Sequence, residues 1–161
     1  MTTIRPIVPA DREQLLRVVR LQTNFLDCEV DVAMEVIDGT FDPVEDYRTL
    51  AAVEDDGIIA GFISYGPIPL TENRYDLYWI AVDPAYGRHG IGSQLMAAME
   101  EDLHRAGPCH IYIDTSSTEG YAKARAFYEK NGYHIASLLK DFYRDGDDRV
   151  LYLKKWDAVR S

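Results

Sequence analysis

A buried strand that runs through a glycine-rich turn into a helix, over residues 77–95, constrains this chain more than any other segment. The turn reads Gly87-Arg88-His89-Gly90-Ile91-Gly92, and the apolar residues that follow it recur at helical spacing. Glycines let a backbone approach a ligand closely, and the free amides in the first turn of a helix attract negative charge. The segment therefore predicts a site for a phosphate group.

Two common phosphate-binding motifs do not fit this turn. A P-loop has Lys and then Ser or Thr directly after its last glycine, whereas Ser93 and Gln94 follow Gly92 here. A Rossmann fingerprint has a third small residue three places after Gly92, where this chain has Leu95. The residues alone also leave open a turn that merely links a strand to a helix.

Composition and charge restrict the class of protein and its partners. A chain of 161 residues, 47% hydrophobic and 27% charged, is typical of one globular domain, which we expect to span residues 1–161. No apolar run approaches the ~20 residues that cross a membrane, and the amino terminus lacks the features of a signal peptide. We therefore expect no membrane contact and a cytoplasmic location. The net charge of −10 disfavours nucleic acid as a partner and favours cationic molecules, and it also fits a surface whose acidity only keeps the protein soluble.

Metal sites and disulfides are not expected. Cys28 and Cys109 lie far apart, and the four histidines lack the spacing of metal ligands. The acidic residues at 145–148 fit a hairpin turn, because a calcium loop needs a final Glu that residues 149–155 do not supply.

Hydrophobic periodicity and turn residues divide the chain into seven strands and four helices. The predicted strands cover residues 2–5, 50–53, 58–65, 76–82, 109–114, 133–138 and 149–153. The predicted helices cover about residues 9–21, 30–37, 91–105 and 116–130, the last opened by a capping box at residues 116–119. This order, without repeats or linkers, indicates a single α/β domain with a mixed sheet.

Two segments of the chain resemble the hallmarks of the GNAT superfamily of N-acetyltransferases. Residues 80–92 resemble its acyl-CoA-binding segment, Gln/Arg-x-x-Gly-x-Gly/Ala after a strand ending in Val-x-Pro, with Gly87 in the Gln/Arg position and Arg88 one residue later. Residues 121–133 resemble its second motif, Asn-x-x-Ala-x-x-x-Tyr before a Gly-Phe/Tyr strand start, with Tyr121 in place of Asn. The resemblance implies a GNAT fold, a mixed, mostly antiparallel sheet of about six to seven strands flanked by about four helices.

The resemblance also implies an activity and a set of site residues. It implies transfer of an acetyl group from acetyl-CoA to a primary amine of a small molecule or peptide, without a metal. Backbone amides at residues 80–82 would donate to the thioester oxygen where this strand splays from residues 109–114, and Tyr128 would protonate the departing thiolate. The implied cofactor-binding residues are Ile80, Ala81, Val82, Gly87, Arg88, His89, Gly90, Ile91, Gly92, Ser93 and Tyr121.

The general base and several alternatives stay open at this point. Asp76 precedes Val82 by six residues on the same strand, where some family members carry a glutamate, and it is our candidate base. Glu72 and Tyr78 are rival bases, and Tyr128 has an alternative role as a core aromatic residue.

Three further alternatives concern the type of protein and its assembly. Cys109 is an alternative acyl acceptor, although we expect direct transfer. A non-catalytic acyl-CoA sensor on the same fold is the alternative function. Phe142 and Tyr143 are candidates for the wall of an acceptor pocket or for a homodimer contact.

Overall fold

One seven-stranded sheet forms the centre of the protein, and the computed structural model describes it over residues 1–157. Its strands are β1 (Thr3–Pro6), β2 (Arg48–Val53), β3 (Ile59–Pro67), β4 (Arg74–Val82), β5 (Cys109–Ser116), β6 (His134–Arg144) and β7 (Asp147–Trp156). The helices are α1 (Arg12–Arg20), α2 (Asp27–Gly39), α3 (Ile91–His104) and α4 (Ala122–Lys130). Short 3-10 turns precede α1, α3 and α4.

The sheet has the strand order β1-β2-β3-β4-β5-β7-β6, and among residues 1–157 β4 with β5 is the one parallel pair. That pair is short: only Arg74, Tyr75 and Asp76 have partners on β5, at residues 110–112. Beyond Asp76 the two strands part, although β4 continues to Val82 and β5 to Ser116. The carboxyl halves of the two strands therefore border an opening in the middle of the sheet.

The helices cover both faces of the sheet with amphipathic surfaces. On α1, Leu15, Val18 and Val19 are fully buried against one face, where α2 adds Ala33, Met34 and Ile37. Helices α3 and α4 cover the other face. The large apolar residues of α3 recur at helical spacing and all lie in the core: Ile91, Leu95, Met96, Met99 and Leu103. Full burial of a side chain such as Leu95 contributes about 1.5–3 kcal/mol, which fixes these helices on the strands that border the opening.

The predicted fold is confirmed, with the same order of elements, and the differences lie at element ends. Helix α2 begins three residues before the predicted start, and β6 and β7 are longer than predicted. The capping box at residues 116–119 is wrong. Ser116 belongs to β5, where its hydroxyl donates to the buried carboxylate of Asp147 at 2.5 Å and accepts from the amide of Thr118 at 3.1 Å. Because the hydroxyl of Ser116 binds Asp147, Ser116 stays in β5 and does not cap a helix. Helix α4 begins later, at Ala122.

Two expectations concern the whole chain. Residues 158–161 lie outside the described part, so the assignment of residues 1–161 to one domain stays a prediction. Within residues 1–157, no helix is long and apolar enough to cross a membrane.

Candidate active site

The parting of β4 from β5 opens a cleft of about 580 Å³. Strand β4, the glycine turn, the start of α3 and one side of α4 form its walls. The lining residues are Gln22, Ile80, Ala81, Val82, Gly87, Arg88, Gly90, Ile91, Gly92, Ser93, Lys123, Ala124, Phe127, Tyr128 and Lys130. The cleft thus brings together all the predicted cofactor-binding residues except His89 and Tyr121, together with the predicted acid.

The glycines of the turn meet different physical requirements. Gly90 precedes α3 with φ of 70°, a left-handed conformation that suits glycine, and a Cβ there would enter open space. Gly92 packs so closely on α4 that a Cβ would lie 3.1 Å from the ring of Phe127. The amides of residues 88 and 90–93 make no hydrogen bond to any described residue. The turn therefore presents unpaired donors at the positive end of the α3 dipole.

Replacing Gly90 with Ala should weaken the binding of acetyl-CoA, the ligand that the resemblance implies, more than it weakens the fold. Its left-handed backbone should cost about 1–2 kcal/mol of the free energy of unfolding, and the added methyl group enters the space in front of the free amides. Gly57→Ala is the matched control, because Gly57 has φ of 86° and open space but lies in the β2–β3 turn. Thermal unfolding and calorimetric titration would check this. Equal acetyl-CoA affinities in the two variants would contradict it.

The free edge of β4 supplies donors and acceptors on the other wall of the cleft. The amide of Asp83 donates to Ala60 of β3 at 2.7 Å, so by strand alternation the backbone groups of Val82 and Ile80 point away from β3 and into the opening. The amide of Ala81 belongs to the β3 side. Of the three residues predicted to contain the oxyanion donor, Ile80 and Val82 therefore face the cleft.

The end of β4 is held in place by an ion pair. A carboxylate oxygen of Asp83 lies 2.7 Å from the guanidinium of Arg17, and the other accepts from the amide of Ala85 at 2.9 Å. Burial raises the pKa of Asp83, but the hydrogen bonds from Arg17 and Ala85 outweigh burial, and the pKa lies below its usual range. Helix α1 thus fixes the start of the glycine turn.

Tyr128 lies on α4 at the inner wall of the cleft. Its side chain is 8% exposed and packs beside Tyr152, with ring centres 5.7 Å apart. Its hydroxyl has no hydrogen-bond partner within residues 1–157. Burial, with a smaller effect of Tyr152, raises the pKa of Tyr128 to about 12. The phenol therefore keeps its proton at physiological pH and has an unused donor beside the opening.

Asp76 lies where β4 and β5 separate, outside the residues that line the cleft. Its neighbours Tyr75 and Leu77 pack against the α3–α4 face, so Asp76 points to the face that carries α1 and α2. It makes no ion pair or side-chain hydrogen bond within the described part of the chain. Burial, followed by the nearby charge of Asp114, raises the pKa of Asp76 to about 6, and Arg149 opposes this shift. The two predicted catalytic residues thus lie on opposite faces of the opening.

Acidic and aromatic side chains surround Asp76 on its face of the sheet. Tyr47 and Tyr78 meet edge to face at 5.3 Å, and burial together with Asp76 raises the pKa of Tyr78 to about 12, which disfavours Tyr78 as a base. The rival Glu72 is exposed on the loop before β4. On the other side, the guanidinium of Arg149 lies 2.6 Å from the carboxylate of Asp114.

A bulge in β6 places two aromatic residues beside this ion pair. The β6–β7 register jumps between Leu139 and Arg144, so residues 140–143 protrude. Arg149 lies 5.2 Å from the centre of the Phe142 ring, and the pKa of Tyr143 is raised by burial and by Asp114. Phe142 and Tyr143 are therefore near the face of Asp76, and their role as a pocket wall stays a prediction.

Other predicted residues lie elsewhere. The hydroxyl of Tyr121 donates to Glu29 of α2 at 2.8 Å, and the ring of His89 packs on Tyr86 at 5.8 Å. Their cofactor-binding roles stay predictions. Cys109 is 1% exposed and burial raises its thiol pKa, which disfavours it as a nucleophile. Within residues 1–157, no three His, Cys, Asp or Glu side chains are grouped as metal ligands, and the absence of a metal stays a prediction.

Several residues of the cleft were not predicted from the sequence. Lys123 and Lys130 on α4 add positive charge with Arg88, and their positions two and nine residues after Tyr121, the start of the second motif, were an available signal. Gln22 had no local signal, because its contact with the end of β4 depends on how α1 packs. The sheet parts at one point, and the free amides of α3 and several cationic side chains lie beside this opening. These features define an α/β protein with a cleft that suits an extended, anionic ligand.

Comparisons with known proteins agree on one family. Residues 45–135 match the family model described as the acetyltransferase (GNAT) domain. The chain is 32% identical over 73 residues to the ribosomal protein bS18 alanine N-acetyltransferase of Escherichia coli K12, which is 45% of this chain and 48% of that protein. It is 35% identical over 66 residues to an uncharacterized N-acetyltransferase of Methanocaldococcus jannaschii, covering 41% and 42%. The chain therefore spans about half the length of these relatives.

Solved structures match over nearly the full length. An acetyltransferase of the GNAT family from Desulfovibrio desulfuricans superposes with a TM-score of 0.90 and 37% identity, over 96% of this chain and 99% of that one. An aminoglycoside 6′-N-acetyltransferase complexed with coenzyme A shares the fold, with a TM-score of 0.73 and 22% identity over 95% and 96%. The chain belongs to the GNAT acetyltransferase family, which places it among enzymes, and the predicted family is confirmed.

Proposed function

We propose that this protein is an acetyl-CoA-dependent N-acetyltransferase that moves an acetyl group to a primary amine of a small molecule or peptide by direct attack. The observation that carries the proposal is the parting of β4 from β5 beside the free amides of α3, with Tyr128 and Asp76 on opposite faces of the opening. Family membership and a fold neighbour complexed with coenzyme A support the donor.

The cleft suits acetyl-CoA along its length. The free amides of the glycine turn would hold the pyrophosphate, and Arg88, Lys123 and Lys130 would offset its charge. The free backbone groups of Ile80 and the free N–H of Val82 would pair with the amide groups of the pantetheine arm. With Gly87 in the place of a Gln or Arg side chain, backbone amides carry most of the contact to the phosphates, and Arg88 adds charge.

The chemistry divides among few groups. Bound in the cleft, acetyl-CoA would supply the thioester whose acetyl group the amine takes. The amide of Ile80 or Val82 donates to the negative charge that develops on the carbonyl oxygen. Tyr128 donates to the departing sulfur. Because the pKa of Tyr128, about 12, exceeds that of a thiol, about 8.5, this hydrogen bond stabilises the thiolate without complete loss of the phenolic proton.

Asp76 takes the proton that the amine loses. Its pKa of about 6 lies closer to neutrality than that of an ordinary aspartate, so it is ionised at pH 7 yet more basic than usual. The acidic and aromatic side chains around it favour a cationic acceptor. Named relatives and neighbours acetylate an alanine of ribosomal protein bS18 or an aminoglycoside, both of which offer amines.

The substitutions Asp114→Asn and Arg149→Gln should move the acid limb of the pH profile of kcat/KM in opposite directions. Asp114→Asn removes a charge that raises the pKa of Asp76, so the limb moves to lower pH, whereas Arg149→Gln moves it to higher pH. Both partners are about one-third exposed, so we expect shifts of a few tenths to about one pH unit. Profiles measured over pH 5–8 with one acceptor check this. Shifts of the same sign would contradict Asp76 as the base.

A screen of primary amines, peptides and aminoglycosides, read by release of the coenzyme thiol and by product mass, tests the proposal. We expect acetyl transfer to at least one class of amine, and to cationic members before neutral ones. Tight binding of acetyl-CoA without transfer to any amine would instead favour the non-catalytic sensor. The cytoplasmic location, a homodimer and the exclusion of nucleic acid stay predictions.

A further inference from the structure

Gln22, which follows α1, lines the cleft. It lies two residues beyond the end of α1, where its backbone amide donates to Val19 at 3.1 Å. Its side chain bridges this helix end to the end of β4. Gln22 therefore connects the face of the sheet that carries α1 and α2 with the cleft.

The orientation of the Gln22 amide is fixed by two hydrogen bonds. Its Nε2 donates to the carbonyl oxygens of Val18 and Val82, each at 3.0 Å. A flipped amide would bring Oε1 against both carbonyl oxygens, so only the observed orientation is stable. This leaves Oε1 as an acceptor with no partner among residues 1–157, on a side chain that lines the cleft.

The same contact changes what β4 offers to a ligand. The carbonyl of Val82 faces the opening, but the Gln22 amide already occupies it. An extended ligand that lies along this edge therefore meets the free backbone groups of Ile80 and the free N–H of Val82. The next acceptor that it meets is Gln22 Oε1.

We propose that Gln22 Oε1 accepts a hydrogen bond from an amide N–H of the pantetheine arm, and so extends the free edge of β4 by one acceptor. The inference rests on the proposed function, in which acetyl-CoA lies in this cleft. The pantetheine arm carries two amide N–H groups, whereas the phosphates of the coenzyme carry no N–H donor. Gln22 is thus a binding residue for the arm and not for the phosphates.

Gln22→Met tests this with two probes, acetyl-CoA and adenosine 3′,5′-bisphosphate. Loss of one hydrogen bond should weaken acetyl-CoA roughly fivefold, while the bisphosphate, which lacks the arm, should bind as in the wild type. Gln14→Met is the matched control, because Gln14 lies in α1 and also makes two hydrogen bonds to backbone, with Gly57 and Ile59, away from the cleft. It should leave both affinities unchanged.

The outcomes separate this inference from the proposed function. If Gln22→Met bound acetyl-CoA as tightly as the wild type, or lost affinity for both probes equally, the inference would be overturned alone. A wild-type protein that bound neither probe would overturn the proposed function and the inference with it. Unchanged bisphosphate binding also verifies that the variant retains a folded glycine turn, so a selective loss for acetyl-CoA supports the contact.

Discussion

Tyr128→Phe should lower kcat for acetyl transfer by about 10²–10³-fold while changing the Kd of acetyl-CoA by less than about twofold. The substitution removes only the hydroxyl. This group has a pKa of about 12, so it is protonated at neutral pH, and it makes no hydrogen bond within residues 1–157. The ring that packs on Tyr152 stays, so the fold should be unaffected. Steady-state kinetics and calorimetric titration measure the two quantities.

Tyr133→Phe is the control for this prediction. Tyr133 is also a buried tyrosine of the α3–α4 core, but its hydroxyl lies 3.3 Å from Glu100 and does not line the cleft. It should keep full activity. An active Tyr128→Phe enzyme would show that Tyr128 is a core aromatic residue and that another group stabilises the thiolate.

Asp76→Asn should lower kcat/KM by about 10²–10³-fold above pH 6 and remove the acid limb of the pH profile. The limb arises because a base must be ionised, and the wild-type rate therefore falls as pH drops below about 6. Asp55→Asn is the control, because Asp55 pairs with the amino terminus far from the opening. An acid limb that persists in Asp76→Asn would assign the base to another residue.

The same substitution should stabilise the fold at neutral pH. A carboxyl whose pKa is raised on folding contributes stability only while protonated, and that stability is lost as pH rises through about 6. Asp76 is partly exposed, so we expect the free energy of unfolding of Asp76→Asn at pH 7 to exceed that of the wild type by about 1 kcal/mol. Denaturant unfolding at pH 5 and 7 measures this difference, which should grow with pH.

Local patterns predicted the donor half of the site well. The left-handed backbone at Gly90 and the free amides at the start of α3 are properties of a short segment, so a motif can encode them. The spacing that places Tyr128 at the cleft is likewise local to α4. The order of strands and helices follows from hydrophobic periodicity, which is why only the element ends differ.

The rest of the site depends on contacts between distant segments. Gln22 reaches Val82 across 60 residues. Burial and the charge of Asp114 on β5 raise the pKa of Asp76, while Arg149 on β7 lowers it. The capping box failed for the same reason, because Asp147 from β7 takes the hydroxyl of Ser116. No short window of sequence contains such pairs.

Acetyl-CoA labelled in its acetyl group, followed through one turnover with a competent amine, tests direct transfer most directly. We predict that all transferred label appears on the amine, with an equal amount of free coenzyme thiol and none on the protein, as the buried Cys109 implies. Label that accumulates on the protein before the amine is added would contradict direct attack. Acetyl-CoA that binds in the cleft but never releases its label to any amine would contradict the proposed function itself.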